Sequence, residues 1–217
     1  MPRLLSLFSG TGSLHKPFAD AGNWEIVSVD LCGKHGPTIV CDIRSWDFSD
    51  QAPFDVLWAG CPCTEFSVAK TRGRRDLQTA DALVRRTWQI ISHFLVLNPG
   101  MLYWVENPDS SWLWKREVGK VFTDTVRLDY CQYGAPYRKR TRLATNATYT
   151  PRALCNPVTC PACTNGKHLK TAQQGKQSAP SQCRDGDTNT QDQLYSYPAA
   201  LVCEIFQVCS RHTWILM

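Results

Sequence analysis

Cys61 and Cys63 frame a proline in residues 55–67, DVLWAGCPCTEFS, where an apolar run breaks at Gly60. Such a run reads as a buried strand, and Gly-Cys-Pro-Cys as the loop at its carboxyl end. A thiol held in that turn, near cationic side chains, can serve as a thiolate nucleophile. On this stretch alone the two cysteines could equally be buried core sulfurs or a redox pair. Other reactive or ligand-binding groups sit in the same position relative to apolar runs. Glu106 and Asn107 follow residues 102–105, Asp30 and Leu31 follow residues 25–29, and Asp42 and Ile43 follow residues 38–40. Residues 4–8 lead into Ser9-Gly10-Thr11-Gly12-Ser13, a glycine-rich turn that lets the backbone approach a ligand closely. An acid about twenty residues beyond such a turn is where nucleotide-binding sheets hold ribose hydroxyls.

Groups that share the carboxyl ends of successive strands require a sheet with those ends along one edge. The expected fold is therefore α/β, a doubly wound sheet with its ligands at that edge. Ala80, Leu83, Val84, Trp88, Ile91 and Leu95 recur at helical spacing, and Asn98-Pro99-Gly100 stops the helix. Residues 121–129 read as a further strand and lead to 138–142, RKRTR. Alternation there sends Arg138, Arg140 and Arg142 to one face, either as a reader of anions or base edges or as a charge-protected strand edge. A second basic cluster, Lys70, Arg72, Arg74 and Arg75 with Ser67 just before it, is the candidate for phosphate contacts.

From about residue 148 to 192 the sequence is rich in Pro, Cys, Thr, Asn, Gln and Gly and has no apolar periodicity, so it reads as a small irregular lobe. Cys155, Cys160, Cys163 and His168 offer four soft ligands there for a tetrahedral structural zinc, with Cys183 a competing ligand. Residues 197–209 then form an amphipathic helix that packs back on the main domain. The expected divisions are 1–147, 148–192 and 193–217. The 217 residues carry a net charge of +5, with the excess clustered as a polyanion-binding surface requires. Eleven cysteines behind an N-terminus with no signal-peptide core imply a reducing, intracellular setting rather than a disulfide scaffold. The longest apolar stretch is too interrupted to span a bilayer, so no membrane association is expected.

Together these pieces resemble the cytosine-C5 DNA methyltransferases, and the short chain is similar to members from phages and large viruses. LFSGTGS resembles the family's first cofactor motif, GCPCTEFS its catalytic loop, ENP its ENV element and RKRTR its Q-x-R-x-R element. The resemblance covers about residues 3–145 and implies a Rossmann-like class I methyltransferase domain using S-adenosylmethionine. It implies cofactor contacts from Phe8, Ser9, Gly10, Thr11, Gly12, Ser13, Asp30, Leu31, Asp42, Ile43 and Gly60. It implies Cys63 as the nucleophile toward cytosine C6, Glu106 at N3, Arg142 at O2 and Arg140 in support. Cys61 falls too early and reads as structural. The substrate implied is duplex DNA with the target base flipped out, or a single strand, bound by a monomer in a bacterial cell or the host of a virus or phage. The sequence departs from the family at Thr64, Pro108 and Arg138, and in the shortened recognition lobe. Its C-terminal cofactor motif reads Leu194-Tyr195-Ser196-Tyr197, which leaves a modified sulfonium donor open. The same chemistry on RNA, and an idle DNA-binding module, are the rival readings.

Overall fold

Along β1 (Arg3–Leu7), β4 (Val56–Gly60) and β5 (Leu102–Pro108) nearly every side chain is buried, the pattern of strands covered on both faces. The computed structural model describes residues 1–168, 170, 172 and 191–216, and places these three strands at the centre of a seven-stranded sheet. Around them lie β2 (Glu25–Asp30), β3 (Ile39–Val40), β6 (Thr125–Asp129) and β7 (Arg140–Thr145), in the order β3-β2-β1-β4-β5-β7-β6. Pairing from β3 through β5 is parallel, and β7 runs antiparallel between β5 and β6. This is the doubly wound, Rossmann-like sheet that the sequence leads one to expect. Strand order reverses between β1 and β4, so the loops after them diverge and open a crevice at the carboxyl edge.

Strand alternation divides the core in two. Leu5, Leu7, Leu57, Ala59, Tyr103 and Val105 face α2 (Leu77–Leu97), which contributes Val84, Ile90, Ile91 and Phe94. Leu4, Val56, Trp58, Leu102 and Trp104 face α1 (Lys16–Asp20) and α4 (Ala199–Leu216), through Phe18 and through Leu201, Val202 and Ile205. The buried stripe of α2 is rotated from the expected one: Leu83, Trp88 and Leu95 pack at its margin rather than its centre. Asp76 caps that helix by accepting from Thr79 N (3.0 Å). The C-terminal helix does pack back on the sheet, starting just after Pro198 and running further than its apolar pattern suggested.

Two local differences have clear causes. Residues 117–119 form a 3-10 turn and Val121 is exposed, so the strand foreseen from residue 121 begins at Thr125. In the lobe, β8 (Cys163–Thr164) and β9 (Lys167–His168) form a small hairpin over Asn165-Gly166, whose φ values of 51° and 73° suit a primed turn. No helix among the described residues is long and apolar enough to cross a membrane.

Candidate active site

The loop after β4 carries Cys63 out of the core, and side chains of neighbouring elements fix it. Asn107, fully buried at the end of β5, donates from Nδ2 to the Cys61 carbonyl (2.7 Å). Phe66, also fully buried, anchors the far side, with its N–H donating to the Cys63 carbonyl (3.0 Å). Cys61 packs in the core against Thr87, and burial pushes its thiol up to about 12. Cys63 is half-buried. Burial first, and then the charge of Glu106, hold its thiol above the ordinary cysteine range, while Lys139 pulls the other way.

Glu106 is 6 % exposed and points to the α4 face of the sheet. Its neighbours are the Lys139 ammonium at 3.7 Å and the Tyr130 hydroxyl at 3.4 Å. Lys139 also lies 4.8 Å over the Tyr130 ring. Tyr197 adjoins the same group, and burial followed by the Glu106 charge pushes its phenol well above the ordinary range. Trp58 Nε1 donates to the Tyr197 hydroxyl (3.0 Å), which fixes that ring against β4. A methyl group at Gly60 would run into the same hydroxyl, so glycine is required where β4 ends. Lys139 and Tyr130 are not among the residues the sequence singled out, although strand alternation next to Glu106 was a usable signal for the first, and Tyr197, expected only as part of the C-terminal cofactor motif, meets Glu106 and Trp58 as well.

The arginine row lies elsewhere. Arg140 and Arg142 do share a face, as alternation predicted, but it is the face opposite Glu106, because Glu106 pairs with Leu143 and Asn107 with Arg142. Arg140 clamps the fully buried Asp129 (3.0 and 2.7 Å), and Arg138 lies 3.7 Å from the same carboxylate. Arg142 clamps Asp109 (2.9 and 2.7 Å) and lies over the Trp114 ring. The structure therefore brings Cys63 and Glu106 together but does not bring Arg140 or Arg142 to them.

The basic cluster also divides. Lys70 is ion-paired with Glu65 (2.6 Å), and Arg75 donates to the carbonyls of Glu65 (2.7 Å) and Lys70 (2.8 Å) while stacking on Trp112. These two brace the loop that carries Cys63, and Ser67 Oγ accepts from Ala69 N (3.1 Å). Arg72 and Arg74 are exposed.

In the turn after β1, Phe8, Gly10 and Gly12 all adopt positive φ (55°, 50° and 68°). A side chain at the two glycines would be strained there, which explains the residue choice. Asp30 accepts from Gly10 N (2.8 Å) and Cys32 N (2.8 Å), so one carboxylate ties the end of β2 to the glycine turn. Leu31 beside it is 72 % exposed, an apolar side chain left facing the crevice edge. Asp42 is instead engaged by Arg44, which holds its carboxyl below the usual range, and the Ile43 side chain is buried with its carbonyl accepting from Arg86 (3.0 Å). The unusual Leu194–Tyr197 segment docks on the glycine turn. Ser196 Oγ lies 3.2 Å from Thr11 Oγ1, and Tyr197 N donates to Ser13 Oγ (2.9 Å). Tyr195 is exposed. A cleft of about 650 Å³ is lined by Thr11, His35, Tyr137, Asp192, Ser196 and Tyr197 among others, a size suited to a nucleoside-sized ligand.

In the lobe, Cys155, Cys160 and His168 converge as expected, and the fourth ligand atom within 4.8 Å of all of them belongs to Cys131. Cys163, opposite His168 in the hairpin ladder, engages the Cys160 and Cys155 thiols but does not belong to the set of four mutually close ligand atoms. Cys183 lies outside the described residues.

These charges yield a test. Glu106→Gln removes the negative charge beside Cys63, so its thiol titrates lower; Lys139→Gln removes the positive one, so it titrates higher. Iodoacetamide alkylation of Cys63 followed against pH should shift to lower pH in the first variant and to higher pH in the second. Coincident profiles for both variants and the wild type would show that neither charge reaches the thiol.

No family model matches the chain. A protein of Frog virus 3 (isolate Goorha) named "Probable DNA (cytosine-5)-methyltransferase" is 31 % identical over 230 residues, covering 95 % of this chain and 100 % of that protein. The type II methyltransferase M.Bsp6I of Bacillus sp. (strain RFL6) is 35 % identical over 92 residues, covering 37 % of this chain and 29 % of that enzyme. Among solved structures, the S. pombe Dnmt2 methyltransferase matches with a TM-score of 0.48 at 13 % identity, over 73 % of this chain and 54 % of that one. With the whole length of the viral relative matched above 30 % identity, the chain belongs to the DNA (cytosine-5)-methyltransferase family.

Proposed function

We propose that the protein transfers a methyl group to C5 of cytosine in DNA through a covalent adduct between Cys63 and C6 of the base. The observation that carries this reading is the meeting of Cys63, Glu106 and Lys139 at the carboxyl ends of β4, β5 and the segment entering β7. Cytosine C5 is a poor nucleophile until something adds at C6. The Cys63 sulfur forms that bond, and Glu106 holds a proton at N3, so that the electron pair pushed into the ring is stabilised there. Lys139 faces Glu106 and the thiol together, and favours the thiolate and the anionic ring over their neutral forms. Once C5 carries the methyl group, loss of its proton to water lets the C6–S bond break, which returns the Cys63 thiolate and leaves 5-methylcytosine. S-adenosylmethionine, when bound, supplies the electrophilic methyl group.

The residues present fit that donor. The positive-φ glycine turn lets a ligand approach the backbone, and Asp30 retains lone pairs for ribose hydroxyls beyond its two backbone bonds. Leu31 covers the adenine, and Ser196 and Tyr197, just after α3 (Gln191–Tyr195), meet Thr11 and Ser13 of the turn. Asp42, Ile43, Gly60 and Tyr195 complete the proposed cofactor surface, with Asp42 having to share its carboxylate with Arg44.

A stacked base cannot reach Cys63, so duplex substrate requires base flipping. Arg72 and Arg74 contact phosphate, whereas Lys70 and Arg75 hold the loop in shape. Arg140 and Arg142 act as braces under β7, with Arg138 exposed at the edge. The setting is the interior of a cell, where DNA and the donor coexist, and the catalytic unit is one chain. The test is incubation with labelled S-adenosylmethionine and duplex DNA, single-stranded DNA or tRNA, followed by nucleoside analysis. Label in 5-methylcytosine from duplex DNA is expected. Label only in tRNA would transfer the chemistry to RNA, and absence from all three would refute the enzyme reading.

A further inference from the structure

We infer that Cys131, Cys155, Cys160 and His168 form a structural zinc site that fastens the recognition lobe to the catalytic strands. Three of these residues lie within fourteen positions of one another in the lobe, but Cys131 does not: it belongs to the 3-10 turn Tyr130–Tyr133 that follows β6. Four soft ligand atoms within 4.8 Å of one another satisfy the first requirement of a closed tetrahedral site. The edges satisfy the second. With Zn–S of about 2.3 Å and Zn–N of about 2.0–2.1 Å, tetrahedral angles place sulfur and nitrogen about 3.6 Å apart. His168 Nε2 lies 3.5 Å from Cys155 Sγ and 3.6 Å from Cys160 Sγ.

The surroundings supply a donor to the sulfurs and a backbone shaped around them. The Gln132 side-chain amide donates toward Cys160 Sγ (3.7 Å) and Cys131 Sγ (3.9 Å), the kind of outer hydrogen bond that supports a metal-bound sulfur. The backbone of residues 156–163 is wound to present the sulfurs: Cys160 N donates to Asn156 O (2.9 Å) and Cys163 N to Cys160 O (3.0 Å). Cys131 and Cys160 are buried although the lobe has little apolar core, and none of the four sulfur or nitrogen donors is spent in a disulfide. A short, loop-rich segment of this composition needs a cross-link to hold one shape.

The position of Cys131 gives the site a consequence for the reaction. Two residues before it, Asp129 accepts from both Cys155 N (2.9 Å) and the Arg140 guanidinium. One residue before it, Tyr130 N donates to the Lys139 carbonyl (3.1 Å), and its ring underlies the Lys139 ammonium beside Glu106. A metal at Cys131 therefore holds the turn on which Lys139 rests. The lobe and the base-binding residues are set by one anchor.

Metal analysis of the full chain purified without chelator should give about one zinc per chain, and Co²⁺ exchanged into it should show the absorption of a tetrahedral site with sulfur ligands. Cys131→Ser and Cys155→Ser should each lose most of the bound metal while far-ultraviolet circular dichroism stays close to wild type, because the parallel sheet does not depend on the lobe. Cys163→Ser should keep it. Substoichiometric zinc in the wild type would overturn the site. So would a result in which Cys163→Ser empties it and Cys131→Ser does not, since the lobe would then close on itself without touching the catalytic strands.

Discussion

Cys63→Ala is expected to abolish methyl transfer, with a loss of at least about 10⁴-fold and an unchanged fold. The size of the effect follows from the chemistry: without a sulfur at C6 the ring never becomes nucleophilic at C5, and neither Glu106 nor Lys139 can substitute for that bond. DNA containing 5-fluorocytosine isolates the step, because fluorine at C5 cannot leave as a proton and the adduct stays trapped. Wild type should give a stable protein–DNA conjugate on this substrate, and Cys63→Ala none. Cys61→Ala supplies the control, two positions away. Its sulfur is buried against Thr87, so the substitution should cost about 1 kcal/mol of stability and leave the conjugate intact. A conjugate that survives in Cys63→Ala and vanishes in Cys61→Ala would exchange the roles of the two thiols.

Lys139→Ala should lower methyl transfer by about 10²–10³-fold, the usual cost of removing one preorganised charge from a site where charge develops. Arg142→Ala should not. Arg142 faces away from Glu106 and spends its guanidinium on Asp109 and the Trp114 ring, so its loss should appear as about 1–3 kcal/mol of stability, with single-turnover rates within about tenfold of wild type. Rates measured at a temperature where both variants stay folded, alongside urea denaturation, separate the two effects. An Arg142→Ala enzyme as slow as Lys139→Ala, yet as stable as wild type, would return the base-binding role to the arginine row.

The contrast between these two positions shows where sequence reading stops. RKRTR is a strong basic signal, and the alternation that groups Arg138, Arg140 and Arg142 on one face is sound. Which face that is depends on the register of β7 against β5, where Glu106 meets Leu143 and Asn107 meets Arg142. A slip of one residue sends every side chain to the other side, and nothing local to the pentapeptide fixes it. The basic run at residues 70–75 divides for a related reason: Lys70 and Arg75 are engaged by Glu65 and two carbonyls that only the folded loop brings near them, while Arg72 and Arg74 stay exposed.

What the sequence determined by itself was the sheet and the edge. Apolar runs ending in Gly-Thr-Gly, Asp30, Gly-Cys-Pro-Cys and Glu-Asn-Pro can all be satisfied together only if parallel strands deliver their carboxyl ends to one crevice, and each of those signals is contained within a few residues. Only the tertiary structure decided which groups meet there. Lys139 and Tyr130 reach Glu106 through an antiparallel strand inserted between two others, Tyr197 arrives from the far end of the chain, and Cys131 joins a lobe that begins some twenty residues after it. Those contacts are long-range, set by register and packing rather than by local pattern. The same distinction separates Cys63 from Cys61: composition makes them alike, and the fold places one in the core and the other beside Glu106.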